Sequence, residues 1–186
     1  EMCIRDSLTT VQIPVLNTAQ LQAISLQQVA NIYSTQLQAL TTAQLPVLTT
    51  AQVAVLSSAS IRVLTSLQIQ SLTVSQFPVL STSAVAGFTS DQIPVLTTSQ
   101  VAVLTTLQVP AVVTSAVAAF TTAQLLNFTT ASIGALRSTQ IQVLSTESLG
   151  ALTTLQVGAF STLQIPAFTT FQVASLRTSQ LVALAT

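Results

Sequence analysis

Apolar and polar residues alternate along this chain with a period of eight. Counted from Leu8, 22 complete octads run to Ala183 without insertion or deletion. Representative units are Leu40-Thr41-Thr42-Ala43-Gln44-Leu45-Pro46-Val47 and Leu96-Thr97-Thr98-Ser99-Gln100-Val101-Ala102-Val103. Position 1 is apolar in all 22 octads, usually Leu, with five Phe, and position 6 is Ile, Leu, Val or Phe in all 22. Position 3 is Thr or Ser in 20, position 2 is Thr, Ser or Asn in 18, and position 5 is Gln in 17. The exceptions at position 5 are Ser60, Ala84, Ala116, Ser132 and Ser148. Position 8 is mostly small, and all six prolines fall at position 7. Internal repetition of this kind marks a repeat architecture. Within the array the charges sit only at position 2 (Arg137, Arg177), position 4 (Asp91, Glu147) and position 7 (Arg62). An unpaired charge is too costly to bury, so those positions face solvent and positions 1, 6 and 8 are expected inside.

One continuous helix does not fit the period. Eight residues advance about 800°, so the apolar stripe would drift by about 80° per octad, and the prolines would break it repeatedly. A short helix in each octad fits better. Thr at position 2 and Gln at position 5 form the S/T-x-x-Q capping box, and apolar residues at positions 1 and 6 form the accompanying hydrophobic staple. The expected structural caps are Thr41 with Gln44, Thr49 with Gln52, Thr97 with Gln100, Thr105 with Gln108, Thr121 with Gln124 and Thr153 with Gln156. The expected core includes Leu40, Leu45, Leu48, Val53, Leu96, Val101, Phe120, Leu125, Phe128, Ile133, Phe160 and Ile165. Where Tyr33, Val113, Arg137 or Arg177 stands at position 2, the hydroxyl of Ser34, Thr114, Ser138 or Thr178 at position 3 is expected to cap instead. Pro at position 7 disfavours helical geometry in the residue before it, which predicts an extended link through positions 7, 8 and 1.

The fold class is therefore all-α, a solenoid of very short capped helices with one per octad. The alternative is a parallel β-solenoid with Thr and Gln ladders. That alternative gains from the β-branched residues. It loses because charged position 4 would share a face with apolar 6 and 8, and because six rungs would carry a proline in the ladder. The chain divides into a non-repeat leader (1–7), a single array of octads (8–183) and the start of another octad (184–186). Burial at positions 1 and 6 contributes about 1.5–3 kcal/mol each, against about 1–2 kcal/mol per residue for ordering the backbone. A lone octad cannot fold, and stability grows with repeat number. Phe88, Phe128 and Phe168 recur at intervals of 40, as do Arg137 and Arg177, whereas residues 81–86 resemble 113–118 at an interval of 32. Two origins account for these spacings: a superhelical turn of four or five octads, or block duplication of the coding DNA.

Composition then removes most chemistry. Charged residues are 4 % of the chain, with no Lys and no His, and the net charge is zero. No basic face exists to neutralise phosphates, so nucleic acid is not an expected partner. Thr, Ser or Gln interrupts every apolar run, so no transmembrane segment is expected. Neither a general base for a hydroxyl nucleophile nor a cluster of metal-binding side chains is present. The expectation is a non-enzyme with no cofactor and no catalytic or metal site. Cys3 is the only cysteine, which excludes an intrachain disulfide. The array's partners are then neighbouring repeats of a larger protein, and uncapped apolar ends favour end-to-end self-association. The Thr and Gln columns could alternatively present a ligand-binding surface for ice or polysaccharide.

The array from Leu8 to Ala183 resembles the Leu-Thr-Thr-x-Gln-Val/Ile octapeptide repeats of large, mostly uncharacterised bacterial surface or secreted proteins. That resemblance implies a rod-like spacer or adhesin-like segment and an extracellular or cell-surface location. Residues 1–7, Glu-Met-Cys-Ile-Arg-Asp-Ser, resemble translated sequencing-adapter read-through. They carry no recognisable signal peptide, and on that reading the octads are a fragment of a longer array.

Overall fold

A computed structural model describes residues 8–184; the leader lies outside the described residues. Those residues form short helices only, with no strand among them, so the chain is an all-α repeat solenoid and not a β-solenoid. The α-helices run from four residues, as in Thr82–Val85, to seven in Thr178–Leu184. The chain clusters into two compact units that divide between Phe88 and Thr89. Each unit is built on the same local plan.

That plan is clearest in the octad opening at Leu48. Leu48 is extended (φ −60°, ψ 136°), and Thr49 follows in extended geometry as N-cap (φ −65°, ψ 154°). The helix then runs Thr50–Ala54, and Val55 is still right-handed at its C-cap (φ −91°, ψ 0°). The extended link is therefore positions 1 and 2, not 7, 8 and 1 as the prolines suggested. Proline changes the helix type rather than ending it. Ile13–Val15, Leu45–Val47, Val109–Ala111 and Ile165–Ala167 are 3-10 turns with Pro in the first turn. The octads of Pro78 and Pro94 form turns. A residue locked near φ −65° without an N–H is accommodated at a helical start.

Position 3 does not take over the cap when position 2 is not Thr, Ser or Asn. Ser34, Thr114 and Ser138 remain the first helical residues, and the N-caps Tyr33, Val113 and Arg137 make no side-chain cap bond. The backbone bonds that begin the turn, such as Leu37 N–H to the Tyr33 carbonyl, form regardless.

Octads pack on others three to four places along the chain. In the first unit, Ser34–Gln38 packs on Ser58–Val63, which packs on Thr82–Val85. In the second, Thr122–Leu126 packs on Thr146–Ala151, which packs on Thr170–Ser175. Side-chain hydrogen bonds reach 28 and 31 residues back. One coil thus takes between three and four octads, not the four or five suggested by the intervals of 32 and 40 residues. The interval of 40 instead repeats a lumen contact: Phe120 meets Phe128 edge-on at 5.1 Å, and Phe160 meets Phe168 at 5.0 Å.

The lumen is lined by positions 1 and 6. Leu40, Leu45, Leu48, Val53, Leu96, Val101, Phe120, Leu125, Phe128, Ile133 and Phe160 are buried. Ile165 is half-buried; of the octad three places ahead of it only Leu184 is described. Position 8, expected inside, is half-buried at Val47, Val55, Val63, Val95 and Val103. Position 5 corrects the expected inside face. The sequence assigns its glutamines to helix capping and leaves them out of the interior, yet Gln44, Gln52, Gln100, Gln108, Gln124 and Gln156 are all buried. A polar side chain can be enclosed in this way only when its hydrogen-bonding groups find partners inside. The charged side chains Arg62, Asp91, Arg137, Glu147 and Arg177 are all exposed, which agrees with the cost of burying an unpaired charge.

Candidate functional site

The feature that dominates both units is a buried column of glutamine amides. Gln52, Gln100 and Gln140 are no more than 1 % exposed, and Gln108 and Gln124 only 2 %, an unusual environment for a polar side chain. Each amide has two ends, an acceptor and a donor pair, and the structure uses them differently.

The oxygen works within the octad. Gln52 Oε1 accepts from the Thr49 N–H at 3.0 Å, while Thr49 Oγ1 accepts from the Gln52 N–H at 3.2 Å. The same reciprocal pair joins Thr41 to Gln44, Thr97 to Gln100 and Thr105 to Gln108. It also joins Thr121 to Gln124 and Thr153 to Gln156. Two backbone donors that a helix start leaves without partners are satisfied in each.

The nitrogen works between coils. Gln52 Nε2 donates to the carbonyls of Leu21 at 2.8 Å and Ile24 at 2.9 Å. Gln124 donates to Ile93 at 2.7 Å and Leu96 at 2.8 Å. Gln140 donates to Val109 and Val112, Gln156 to Leu125 and Phe128, and Gln172 to Ile141 and Leu144. The receiving carbonyls are those of position 6, each of which also accepts from the N–H of the following position 1, as Leu21 does from Ile24, and of position 1, where the backbone turns extended. No buried side-chain nitrogen or oxygen lacks a partner among the described residues. Sequence reasoning missed this second role, and with it the burial of Gln108, Gln124 and the rest of the column. Period and composition reveal the column, but not a partner about 30 residues away, a separation read from the bonds themselves.

Octads without Gln show what the amide replaces. Ser132 Oγ reaches only the Leu104 carbonyl at 3.0 Å, and Ser148 meets Thr122. Three of the four glycines lie in such octads: Gly87 beside Ala84, Gly134 beside Ser132 and Gly150 beside Ser148. No described residue has positive φ, so backbone freedom is not the reason. A Cβ on Gly87 would stand 2.3 Å from the Ser58 carbonyl, and one on Gly134 would stand 2.8 Å from that of Ala159. At these glycines backbone stands against backbone of another coil, and the Gly134 and Gly150 carbonyls also accept from Gln164 and Gln180.

The outer surface carries the remaining polar residues. Position 3 is exposed at every described octad except Ser58 and Thr122, which are half-buried. Position 4 is also outward and includes bare apolar side chains, with Leu163 87 % and Phe171 80 % exposed. The Gln column is turned inward, so it cannot form an outer ligand face together with the threonines. Among the described residues no group of three His, Cys, Asp or Glu could hold a metal ion, and no helix is long and apolar enough to cross a membrane.

Against known families, a model described as the ALTTAQ repeat matches residues 75–106, 117–154 and 128–162, and the chain is similar to that family over these stretches. No curated protein matches the chain. The letters of the motif can be read directly at Ala39-Leu40-Thr41-Thr42-Ala43-Gln44, which spans position 8 of one octad to position 5 of the next. It thus includes both partners of the hydroxyl–amide exchange.

Proposed function

We propose that the chain is a non-enzymatic structural module of a larger protein, a spacer or adhesion segment that sets the distance between other parts or presents them. The observation that carries this reading is the commitment of the polar interior. Each buried amide for which both ends are described spends its oxygen on its own octad and its nitrogen on another coil, leaving no buried side-chain polar atom without a partner among the described residues. The similarity to a repeat family and the lack of His, Lys and Cys in the array support the same reading. The resemblance to octapeptide arrays of bacterial surface proteins supports an extracellular or cell-surface setting. Neighbouring repeats, from Leu8 to Ala183 and beyond, are the natural partners.

Small-angle scattering on purified arrays of increasing octad number tests the spacer role. The maximum dimension should rise in proportion to the number of octads. A dimension independent of octad number would sink the proposal.

A second reading has one specific observation behind it, the exposed position-3 hydroxyls, such as Thr98, Thr106, Thr114 and Thr130. They could meet ice or polysaccharide without help from glutamine. Thermal hysteresis together with a glycan array decides it: a signal lost on Thr→Val changes at position 3 supports a ligand face, and silence in both removes it.

A further inference from the structure

We propose that the array carries preset opening points: the coil contacts of octads without a position-5 glutamine part before the contacts that an amide bridges. These contacts belong to the folded array itself, whether the module serves as a spacer or presents a ligand face.

An ordinary contact is held by an amide such as Gln68. Its oxygen accepts from the Thr65 N–H at 2.9 Å. Its nitrogen donates to the carbonyls of Leu37 at 3.3 Å, Gln38 at 3.1 Å and Leu40 at 2.7 Å. Gln156 makes the equivalent bonds to Thr153, Leu125, Leu126 and Phe128.

Two contacts lack this bridge, one within each unit. Octad 80–87 carries Ala84 and octad 144–151 carries Ser148. Thr82–Val85 packs on Ser58–Val63, and Thr146–Ala151 packs on Thr122–Leu126. Ala84 has nothing with which to reach the Leu56 carbonyl, 28 residues behind it. That carbonyl and the Ser81 N–H make no hydrogen bond among the described residues, although Leu56 is only 1 % exposed. At Ser148 the Phe120 carbonyl and the Ser145 N–H are left in the same state, and Phe120 is buried. The Ser148 hydroxyl instead meets Thr122 Oγ1 at 3.3 Å, long for a bond between hydroxyls. Ser58 and Thr122, the two half-buried residues of position 3, lie at these same two contacts.

A buried carbonyl without a partner forfeits the water it would meet in an open contact. Parting the coils therefore costs less at Ala84 and Ser148 than at Gln68 or Gln156. A helix of one turn does not persist without its packing, so the octad unravels when its contact parts. Ser132 stands between the two cases, because its hydroxyl still donates to the Leu104 carbonyl at 3.0 Å.

Native-state hydrogen exchange on the 186-residue chain, read at single amides by nuclear magnetic resonance, tests the proposal. The position-6 N–H groups of Val85, Leu149, Ile133, Ile69 and Val157 all donate to the N-cap carbonyl of their own octad, so differences in their protection report the coil contact. Val85 and Leu149 should be protected at least about tenfold less than Ile69 and Val157, with Ile133 between them. Ser148→Gln should bring Leu149 up to the protection of Val157. Gln68→Ala should create a new opening point, lowering the protection of Ile69 about tenfold and leaving Val157 unchanged. Should Ser148→Gln melt below the unaltered chain, Gln68→Ala decides alone. Equal protection at all five amides overturns the proposal, since the octads would then open together. Protection of Ile69 that survives Gln68→Ala also overturns it, because the amide would not be what holds the contact shut.

Discussion

At the scale of the residue, the glutamine of position 5 is the most constrained polar group in the fold. Its hydroxyl partner contributes one local bond, whereas the amide bridges the octad and a distant coil. The two should respond differently to substitution. Thr49→Ala removes the acceptor for the Gln52 N–H and should cost about 1 kcal/mol, the usual value for a lost N-cap. Gln140→Glu keeps the acceptor for the Arg137 N–H but turns a second oxygen towards the Val109 and Val112 carbonyls. Leaving a buried charge unpaired costs about 3–5 kcal/mol, several times the cap. The introduced carboxyl should hold its proton in the fold, so its pKa is raised there. The variant's stability is then fullest at pH below the ordinary carboxylate range and is lost as pH rises through the raised value. Thermal melts of both variants across that range check the contrast. A Gln140→Glu chain no less stable than Thr49→Ala at neutral pH would refute the inter-coil role of the amide.

At the scale of the element, the octad's helix was legible because every signal that builds it lies within eight residues. Apolar positions 1 and 6, the outward charges and the phase of the prolines all pointed to one short helix per octad. The coil was not legible. A period of eight states what repeats but not how many octads make a turn, and the interval of 40 from Phe120 to Phe160 and from Phe128 to Phe168 reports paired lumen rings rather than the coil. Position 5 was also hard to place. Glutamines such as Gln108 and Gln124 read only as caps until both ends of the amide are known to be satisfied inside. Position 3, in turn, cannot rescue a missing cap, because the extended link fixes position 2 as N-cap whatever residue stands there. Val113→Thr should therefore add a cap to Thr114–Val117 and gain about 1 kcal/mol, read as a higher melting temperature. The glycines make a second contrast between elements. Gly87→Ala forces a Cβ against the Ser58 backbone, which cannot give way as a flexible side chain would, and should cost at least about 2 kcal/mol, within the range for overpacking. Gly158→Ala meets its nearest backbone oxygen at 3.3 Å and should change stability by less than about 1 kcal/mol. Equal losses at the two sites would show that backbone proximity is not what selects glycine.

At the scale of the whole molecule, the repeat makes one octad interchangeable with the next, and that property can be tested by deletion. Each octad contacts others at fixed octad intervals, so removing one complete unit replaces every lost partner with an equivalent one. Deleting Leu152–Ala159 moves the following octads back by one place. Gln172 and Gln180 would then reach carbonyls of the same two positions, one octad earlier in the chain. Gly150, which now lies against the Ser175 carbonyl, would meet that of Ala183, again at position 8. Deleting residues 152–155 removes the same kind of chain but only half a period. In the coils above, apolar positions 1 and 6 would then stand where positions 5 and 2 belong, and the amides would face side chains in place of carbonyls. Stability in a solenoid is close to a sum over units and their interfaces. The eight-residue deletion should therefore keep a helical far-ultraviolet spectrum and a cooperative melt, with the midpoint lowered slightly. The four-residue deletion, although shorter, should broaden the melt and lower it much further. If the two deletions lower the midpoint in proportion to the residues removed, phase is not what holds the coils together. The lumen would then be held by unspecific apolar contact rather than by the register of the amide column.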